Sequence, residues 1–222
     1  MFRFIVLSAG SLCLTLSATA DPLLEMMSSR SDEGPRYAYE TSFAWDGIDA
    51  TAKVDPSQPV GARITVLSPV ETEWTKTFRE ELEERDESAD GDIWCTEFGQ
   101  MVPMDASVSD ETDSTVTYAF TPVPEEDADR NEQKMMKQLD GTVVLDKADG
   151  AVLAFKMSLP KPYKPAMVAK INAFEMDVTC ARSPDGRTFI EQFNFDISGS
   201  AMMQSFEESV SRQITNLLGP VD

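Results

Sequence analysis

The sequence predicts an α+β fold, in which one antiparallel, meandering, half-barrel-like sheet is covered by one or two helices. Two consecutive hairpin patterns occupy residues 139–197, and each reverses at a loop in which Gly follows Asp. Gly supplies the positive φ that a tight reversal requires. Apolar residues alternate along the flanking segments, which gives each strand one apolar face. We expect the four strands at residues 139–145, 151–159, 167–180 and 188–198.

The first twenty residues have the pattern of a secretory signal peptide. Arg3 precedes an apolar run over residues 4–16, and Ala18 and Ala20 are the small residues of a cleavage site before Asp21. We therefore expect a periplasmic or secreted protein that starts at Asp21. A membrane anchor is the alternative, but the apolar run is shorter than the roughly 20 residues that a span requires. We expect no stable membrane anchor.

The charge of the chain limits its expected partners, and the lack of repeats and long linkers limits the expected number of domains. The chain carries 39 acidic and 19 basic residues, and its formal net charge is −20. This charge repels nucleic-acid phosphates and anionic lipid surfaces, so nucleic acid is not an expected partner. Because no repeat or long linker interrupts the chain, we expect an N-terminal arm over residues 21–35 and one antiparallel domain over residues 36–222.

Several shorter elements are expected around the hairpins. Asp21 as a cap and Pro22 in the first turn favour a short helix over residues 21–27. Tyr37, Tyr39 and Phe43 alternate along a strand over residues 36–45 and share one face, as core aromatic residues do. Further strands are expected at 49–54, 64–67 and 114–121, and a partial helix within 125–137.

A helix over residues 69–85 is expected to cover the sheet. Ser68 and Glu71 form a capping-box pattern, and Pro69 suits the first turn. The apolar residues of the helix follow at a spacing of four, at Trp74, Phe78 and Leu82. This stripe is narrow, so we expect the helix to lie across the sheet with most of its surface in water.

Residues 200–218 leave two alternatives open. Five apolar residues fit one helical face, and this periodicity favours a helix. These residues are Met203, Phe206, Val210, Ile214 and Leu217. The Ser, Thr and β-branched residues of the segment also suit a final strand.

Two cysteines follow the signal pattern, Cys95 and Cys180. An even number of cysteines in an oxidising compartment usually pairs, so we expect a disulfide bond between them. This bond would join the acidic central segment to the apolar face of the sheet. Two buried free thiols are the alternative.

The absence of histidine limits the chemistry that the chain can perform. Histidine is the commonest general base and transition-metal ligand. No Gly-rich phosphate loop, nucleophile elbow or zinc spacing is present either. A carboxylate pair could act as acid and base, but in so acidic a chain a solvated face is the better explanation. We expect a protein that is not an enzyme and has no catalytic residues.

Residues 86–97 resemble the twelve-residue calcium loop of the EF-hand family. The resemblance implies ligands at five positions of the loop, which are Asp86, Ser88, Asp90, Asp92 and Glu97. Calcium prefers such oxygen ligands, and Gly91 permits the sharp bend. Trp94 at the ninth position departs from the pattern, and an acidic loop without metal is the alternative. No other cofactor is expected.

The chain resembles the periplasmic lipoprotein-carrier superfamily, with its LolA-like carriers and RseB-type sensor domains, in four predicted features. These are a signal peptide, a long meandering sheet, a helix across its concave face and a Met- and Phe-rich interior. The resemblance covers residues 36–197 and rests on the alternation and the Asp-Gly turns. It implies an open half-barrel that holds an acyl chain or a lipoprotein between sheet and helices. It also implies that residues 200–218 form a closing strand.

These observations lead to the hypothesis of an exported, soluble, non-enzymatic binding protein with an apolar groove for a lipid-like or hydrophobic polypeptide ligand. The expected partner is a hydrophobic ligand or a lipoprotein, held by burial of acyl methylenes at about 0.8 kcal/mol each. The expected lining residues are Trp74, Phe78, Phe155, Met157, Phe174, Met176, Phe193 and Phe195. The alternative is a cell-envelope structural or protein-interaction module with a fully packed core, which calcium would stabilise.

Overall fold

The computed structural model describes residues 21–28, 34–45, 48–124 and 128–221. The predicted signal peptide, residues 1–20, lies outside the described residues and stays a prediction. The described residues form one open antiparallel sheet of 11 strands with short helices, which confirms the predicted fold class. None of the described helices is long and apolar enough to cross a membrane.

The helices are α1 (Pro22–Ser28), α2 (Lys76–Ser88) and α3 (Arg130–Met136), with 3-10 segments at Glu71–Glu73 and Cys95–Met101. The first strands are β1 (Arg36–Trp45), β2 (Ile48–Val54), β3 (Ile64–Ser68), β4 (Ser107–Glu111), β5 (Thr115–Phe120) and β6 (Asp140–Asp146). The last strands are β7 (Val152–Ser158), β8 (Tyr163–Ala166), β9 (Ala169–Arg182), β10 (Thr188–Ala201) and β11 (Gln204–Val221). Across the sheet the order is β3-β2-β1-β11-β10-β9-β7-β6-β5-β4, and β8 pairs with β9.

Both Asp-Gly hairpins form as predicted. In the turn between β6 and β7, Gly150 has a φ of 67° and donates its N–H to the carbonyl oxygen of Asp146 at 2.9 Å. In the turn between β9 and β10, Gly186 has a φ of 91°. A Cβ at Gly150 would lie 2.7 Å from the carbonyl oxygen of Pro22. Glycine therefore provides both the backbone conformation of this turn and the space for α1 to pack against it.

One face of the sheet is apolar across most of its strands, because directly opposed residues of neighbouring antiparallel strands share a face. One row of opposed residues crosses the sheet through Phe43, Arg212, Phe193, Val178, Phe155, Val143 and Tyr118. The next row contains Val210, Phe195, Met176 and Met157. The predicted one-sided sheet is therefore confirmed, and Arg212 is the charged member of an otherwise uncharged row.

The main core lies where α1 and the segment Cys95–Met101 cover β6, β7 and β9. Leu23 and Met26 of α1 belong to this core, and the ring of Phe98 stacks on that of Phe155 with centroids 4.9 Å apart. A disulfide bond joins Cys95 to Cys180, as predicted, and ties this cover to β9. The sequence analysis therefore assigned the cover of these strands to the wrong helix.

The covering helix begins later than predicted. Ser68 ends β3, where it is paired with Thr51, so it does not cap a helix. The cap is Thr75, whose hydroxyl accepts a hydrogen bond from the N–H of Phe78 at 3.1 Å. The predicted helix over residues 69–85 is corrected to α2, because pairing in the sheet takes precedence over a local capping pattern.

The helix favoured for residues 200–218 is wrong, because this segment belongs to β11. β11 pairs with β10 over residues 204–213 and with β1 over residues 210–221, so every part of the strand is paired on at least one side. Val210, Arg212 and Ile214 then share a face at the period of a strand. Tertiary pairing on both sides outweighs a helical periodicity that five residues also happened to fit.

Candidate functional site

A pocket of about 110 Å³ lies between α2 and the apolar face of the sheet. This pocket, called the α2 pocket below, is lined mainly by side chains of β1, β2, β3, β11 and α2. Its principal lining residues are Tyr39, Phe43, Val54, Ile64, Arg85 and Arg212. Tyr39 and Val54 also belong to a second, smaller core that includes Trp94 and Ile214. The α2 pocket is therefore a gap between this smaller core and the covering helix.

Aromatic contacts hold α2 against β1 at Phe43, which lines the pocket. The rings of Phe43 and Phe78 stack with centroids 6.3 Å apart. Trp74 packs edge-on against Phe78 at 5.5 Å and donates its indole N–H to the carbonyl oxygen of Pro69 at 2.9 Å. Phe78 is buried, whereas most of α2 faces solvent. This one apolar contact therefore contributes much of the attachment of α2 to the sheet.

Asp86 holds the C-terminal end of α2 against the β2–β3 loop. Its carboxylate accepts a hydrogen bond from the N–H of Ile64 at 2.7 Å and another from the N–H of Gly61. The side chain is buried, and buried carboxylates are stable only when such donors satisfy them. Asp86 thus fixes the spacing between α2 and the strands that form the wall of the pocket.

Arg212 brings a positive charge to the wall of the α2 pocket. Its Nε atom is buried without a hydrogen-bond partner, and none of the ion pairs within the described ranges involves it. Burial lowers the pKa of Arg212, and the nearby charge of Arg85 lowers it further. Burial also raises the pKa of Tyr39, the neighbour of Arg212 across the pocket. The site therefore combines apolar side chains, the carboxylate residue Asp92 and a guanidinium that forms no ion pair among the described residues.

Arg85 brings a second guanidinium to the pocket. It lies over the ring of Phe43 at 5.9 Å from the centroid and forms an ion pair with Glu81 at 2.9 Å. Its Nε atom is also buried without a hydrogen-bond partner. Two guanidinium groups that face one small space attract an anion more strongly than either does alone.

The eight predicted lining residues do not surround a single groove. Phe155, Met157 and Met176 are buried in the main core, and Phe155 is only 1% exposed. Phe174, Phe193 and Phe195 are half-buried at the margin of that core, where Phe174 and Phe195 pack edge-to-face at 5.5 Å. Phe78 belongs to α2, and Trp74 precedes that helix, directly after the 3-10 segment Glu71–Glu73. Neither residue is among those that line the α2 pocket. The prediction placed the six hairpin residues on the correct face, but the protein's own side chains fill the space above three of them.

The five predicted calcium ligands are not brought together. Asp86 is already bonded to backbone N–H groups, and Asp90 accepts a hydrogen bond from the N–H of Asp92 at 3.1 Å. Glu97 lies in the segment Cys95–Met101 and accepts a hydrogen bond from Gln100. Among the residues that the structure describes, no group of three or more His, Cys, Asp or Glu side chains is placed to hold a metal ion. The residues present therefore do not fit the calcium loop that the sequence resembles, because Asp86 is bonded to the β2–β3 loop and Ser88, Asp90 and Glu97 form local hydrogen bonds.

Sequence reasoning did not identify Arg212, although a signal for it exists. Once residues 204–221 are assigned to a strand, the alternation of Val210, Arg212 and Ile214 puts an arginine on the apolar face. The competing helical assignment concealed this pattern. No family model, no curated protein and no solved structure matches the chain, so the chemistry of the α2 pocket is inferred from its own residues.

Proposed function

We propose that this chain is an exported, non-enzymatic binding protein for amphiphilic anions, and that the α2 pocket takes the anionic end of an acyl-chain ligand. The observation that carries the proposal is the guanidinium of Arg212, whose Nε atom is buried without a hydrogen-bond partner and which makes no ion pair with any residue that the structure describes. A charged group that is partly buried without a partner is less stable than one whose charge is compensated. A carboxylate or phosphate ester is the natural partner, because it accepts two parallel hydrogen bonds from a guanidinium.

The dimensions of the α2 pocket limit which part of a ligand it holds. A dry cavity of roughly 150 Å³ accommodates benzene, so about 110 Å³ accommodates a carboxylate and a few methylenes. The remaining methylenes would lie on the apolar face next to Arg212, where Phe193 and Phe195 are half-buried. Each methylene removed from water contributes about 0.8 kcal/mol. The head group therefore supplies orientation, and the chain supplies most of the affinity.

Export and the lack of catalysis complete the proposal. The Cys95–Cys180 bond is compatible with an extracellular or periplasmic location, and the pattern of the first twenty residues predicts the signal peptide that such a location requires. The chain contains no histidine, and no catalytic constellation is predicted from it. The acidic exterior would keep a lipid carrier soluble.

Titration of a fluorescent fatty acid tests this proposal. We expect saturable uptake by the wild type, and a tenfold or greater loss of affinity in Arg212→Met, since a hydrogen bond to a charged group contributes about 1.5–3 kcal/mol. Arg182→Met is the matched control, because Arg182 is already paired with Asp146 and Asp149. The methyl ester of the same acid should bind the wild type and Arg212→Met equally. Equal affinity of wild type and Arg212→Met for the free acid would overturn the assignment of the site.

A structural envelope module is the second candidate function. The observation that favours it is the dense main core, in which Phe155, Val143 and Leu145 are almost completely buried. A domain of this kind would have no uptake of fatty acid, and native mass spectrometry of freshly purified protein would give only the mass of the polypeptide. A co-purified acyl ligand in the same spectrum would favour the binding protein instead.

A further inference from the structure

Two neighbouring turns at one end of the longest strands expose a cluster of large apolar side chains. The methionine tip comprises Met167 and Val168, between β8 and β9, and Met202 and Met203, between β10 and β11. The N–H of Met202 donates to the carbonyl oxygen of Val168 at 2.8 Å, so the two turns lie side by side. Met167 and Met203 are each 101% exposed, Met202 is 78% exposed and Val168 is 60% exposed. Large apolar side chains that are this exposed and adjacent usually mark an interaction surface.

The backbone of the β10–β11 turn indicates that its methionines are not there for the stability of the turn. Met202 and Met203 have φ angles of 52° and 69°, and Ala201 is paired with Gln204 across them. A two-residue hairpin with positive φ at both positions favours Asn-Gly, because other side chains are strained in this conformation. Two consecutive methionines are therefore a poor choice for the turn, and their contribution has to come from the exposed side chains.

The charge around the methionine tip is opposite to that of the whole chain. Residues 159–174 contain Lys161, Lys164 and Lys170 and no acidic residue, and residues 197–206 contain no charged residue at all. The chain as a whole has a net charge of −20. The first acid after the turn along β11 is Glu207, which is four residues and therefore roughly 13 Å from Met203. This distance exceeds the Debye length of about 8 Å at physiological salt, so the lysines dominate the local field.

We propose that the methionine tip docks reversibly on a bilayer surface that contains anionic phospholipid. The exposed methionines would enter the interface between head groups and acyl chains, and the lysines would contact lipid phosphates. Flexible, polarisable thioether side chains adapt well to such an irregular apolar environment. The predicted repulsion between this acidic chain and anionic surfaces applies to the remainder of the molecule, which the length of β9, β10 and β11 keeps away from the bilayer.

The apolar face of the sheet continues along β10 to the methionine tip, with Glu208 of β11 opposite Ile197 as a charged residue on that face. Ile171, Gly199 and Phe206 form a row of opposed residues on β9, β10 and β11, and a Cβ at Gly199 would lie 2.5 Å from the ring of Phe206. Phe206 therefore covers Gly199, two residues beyond Ile197 and four beyond Phe195 along β10. A bilayer contact at this end would bring membrane lipid to the edge of the same apolar face. The docking itself does not depend on the α2 pocket.

Flotation of the full chain with vesicles tests the proposal. We expect the wild type to float with vesicles of phosphatidylglycerol and phosphatidylethanolamine, and at least tenfold less with phosphatidylcholine vesicles. The double substitution Met202→Asn and Met203→Gly should reduce partitioning at least tenfold while leaving the melting temperature unchanged or higher, because Asn-Gly suits the turn better. Lys164→Gln with Lys170→Gln should remove both the preference for phosphatidylglycerol and the sensitivity to salt.

Three outcomes would overturn the proposal. In the first, the wild type does not float with phosphatidylglycerol vesicles. In the second, the variant with Met202→Asn and Met203→Gly floats as well as the wild type. In the third, the methionine tip binds another protein and no vesicles. Arg212→Met is the matched control for the α2 pocket and should float like the wild type. A defect in fatty-acid uptake with normal flotation therefore separates the two sites.

Discussion

Replacing Arg212 with methionine is expected to stabilise the ligand-free protein while it weakens ligand binding. Methionine keeps the length and apolar character of the arginine stem but removes the unpaired guanidinium. Leaving a buried charged donor unsatisfied costs about 1–3 kcal/mol or more, and apolar replacement of buried ionic groups has stabilised proteins by about 1–4 kcal/mol. Because the side chain of Arg212 is half-buried rather than fully buried, we expect a gain of about 1–2 kcal/mol.

Calorimetry at neutral pH with the disulfide intact measures this effect. For a chain of this size, 1 kcal/mol corresponds to about 2–4 °C, so the melting temperature should rise by about 2–8 °C. Arg182→Met is again the control. Arg182 is ion-paired at 2.8 Å and 2.9 Å, and its loss should lower the stability by up to about 1 kcal/mol. If Arg212→Met destabilises the protein as much as Arg182→Met does, the guanidinium of Arg212 is satisfied in the free protein and the reasoning is wrong.

Four further predictions follow from the same contacts. Thr75→Ala should lower the free energy of unfolding by about 1 kcal/mol, because Thr75 caps α2. Ser68→Ala should lower it by less than about 0.5 kcal/mol. If urea unfolding shows that Ser68→Ala destabilises the protein more than Thr75→Ala does, the observed helix start is contradicted. Replacing both Cys95 and Cys180 with alanine should lower the free energy of unfolding by about 4–5 kcal/mol in the same assay, because the disulfide joins residues that are 85 apart in the sequence. A loss of less than about 1 kcal/mol would argue against the disulfide. Hydrogen bonds from Arg182 hold the pKa of Asp149 below its ordinary value of 3.8. The stability that Arg182→Met removes should therefore be present above pH 3.8 and disappear as the pH falls below it. A stability difference between wild type and Arg182→Met that persists unchanged in acid would contradict this pairing. Calorimetric titration with CaCl₂ should give no binding heat, because Asp86 is bonded to backbone N–H groups; a heat that Glu97→Gln abolishes would restore the calcium loop.

Local chemistry predicted the hairpins and the disulfide, because their signals are close in sequence or few in number. Gly150 and Gly186 occupy turns that need positive φ, and the alternation of apolar residues fixes which face of β7, β9 and β10 is buried. Cys95 and Cys180 were the only two cysteines left to pair after the signal pattern. These features survive in any tertiary arrangement that keeps the sheet.

The features that could not be predicted depend on contacts between distant parts of the chain. β11 is a strand because β1, which lies more than 160 residues earlier, pairs with it, and no local window contains that information. The cover of the main core comes from α1 and Phe98 instead of α2 for the same reason. In each case the local sequence pattern fits both assignments, and contacts between distant parts of the chain determine which one forms.

The α2 pocket is the extreme case of this dependence. Its shape requires the hydrogen bond between Asp86 and Ile64, which fixes α2. Its charge requires the register that places Arg212 opposite Phe43. The predicted lining combined Trp74 and Phe78, which do not line the α2 pocket, with hairpin residues that lie elsewhere on the same face of the sheet. The sequence therefore predicted which face of each hairpin strand is apolar, but not which residues lie around the α2 pocket.

Carbon-13 NMR of a carboxyl-labelled dodecanoate bound to the protein tests the central claim most directly. If Arg212 holds the carboxylate, the bound resonance should be resolved from free dodecanoate, and it should keep the shift of the ionised form to a lower pH than the free acid, because a paired guanidinium lowers the pKa of a carboxyl group. Arg212→Met should abolish both effects, and Arg182→Met should leave them intact. A bound carboxyl resonance that titrates like the free acid, or that Arg212→Met leaves unchanged, would contradict the account.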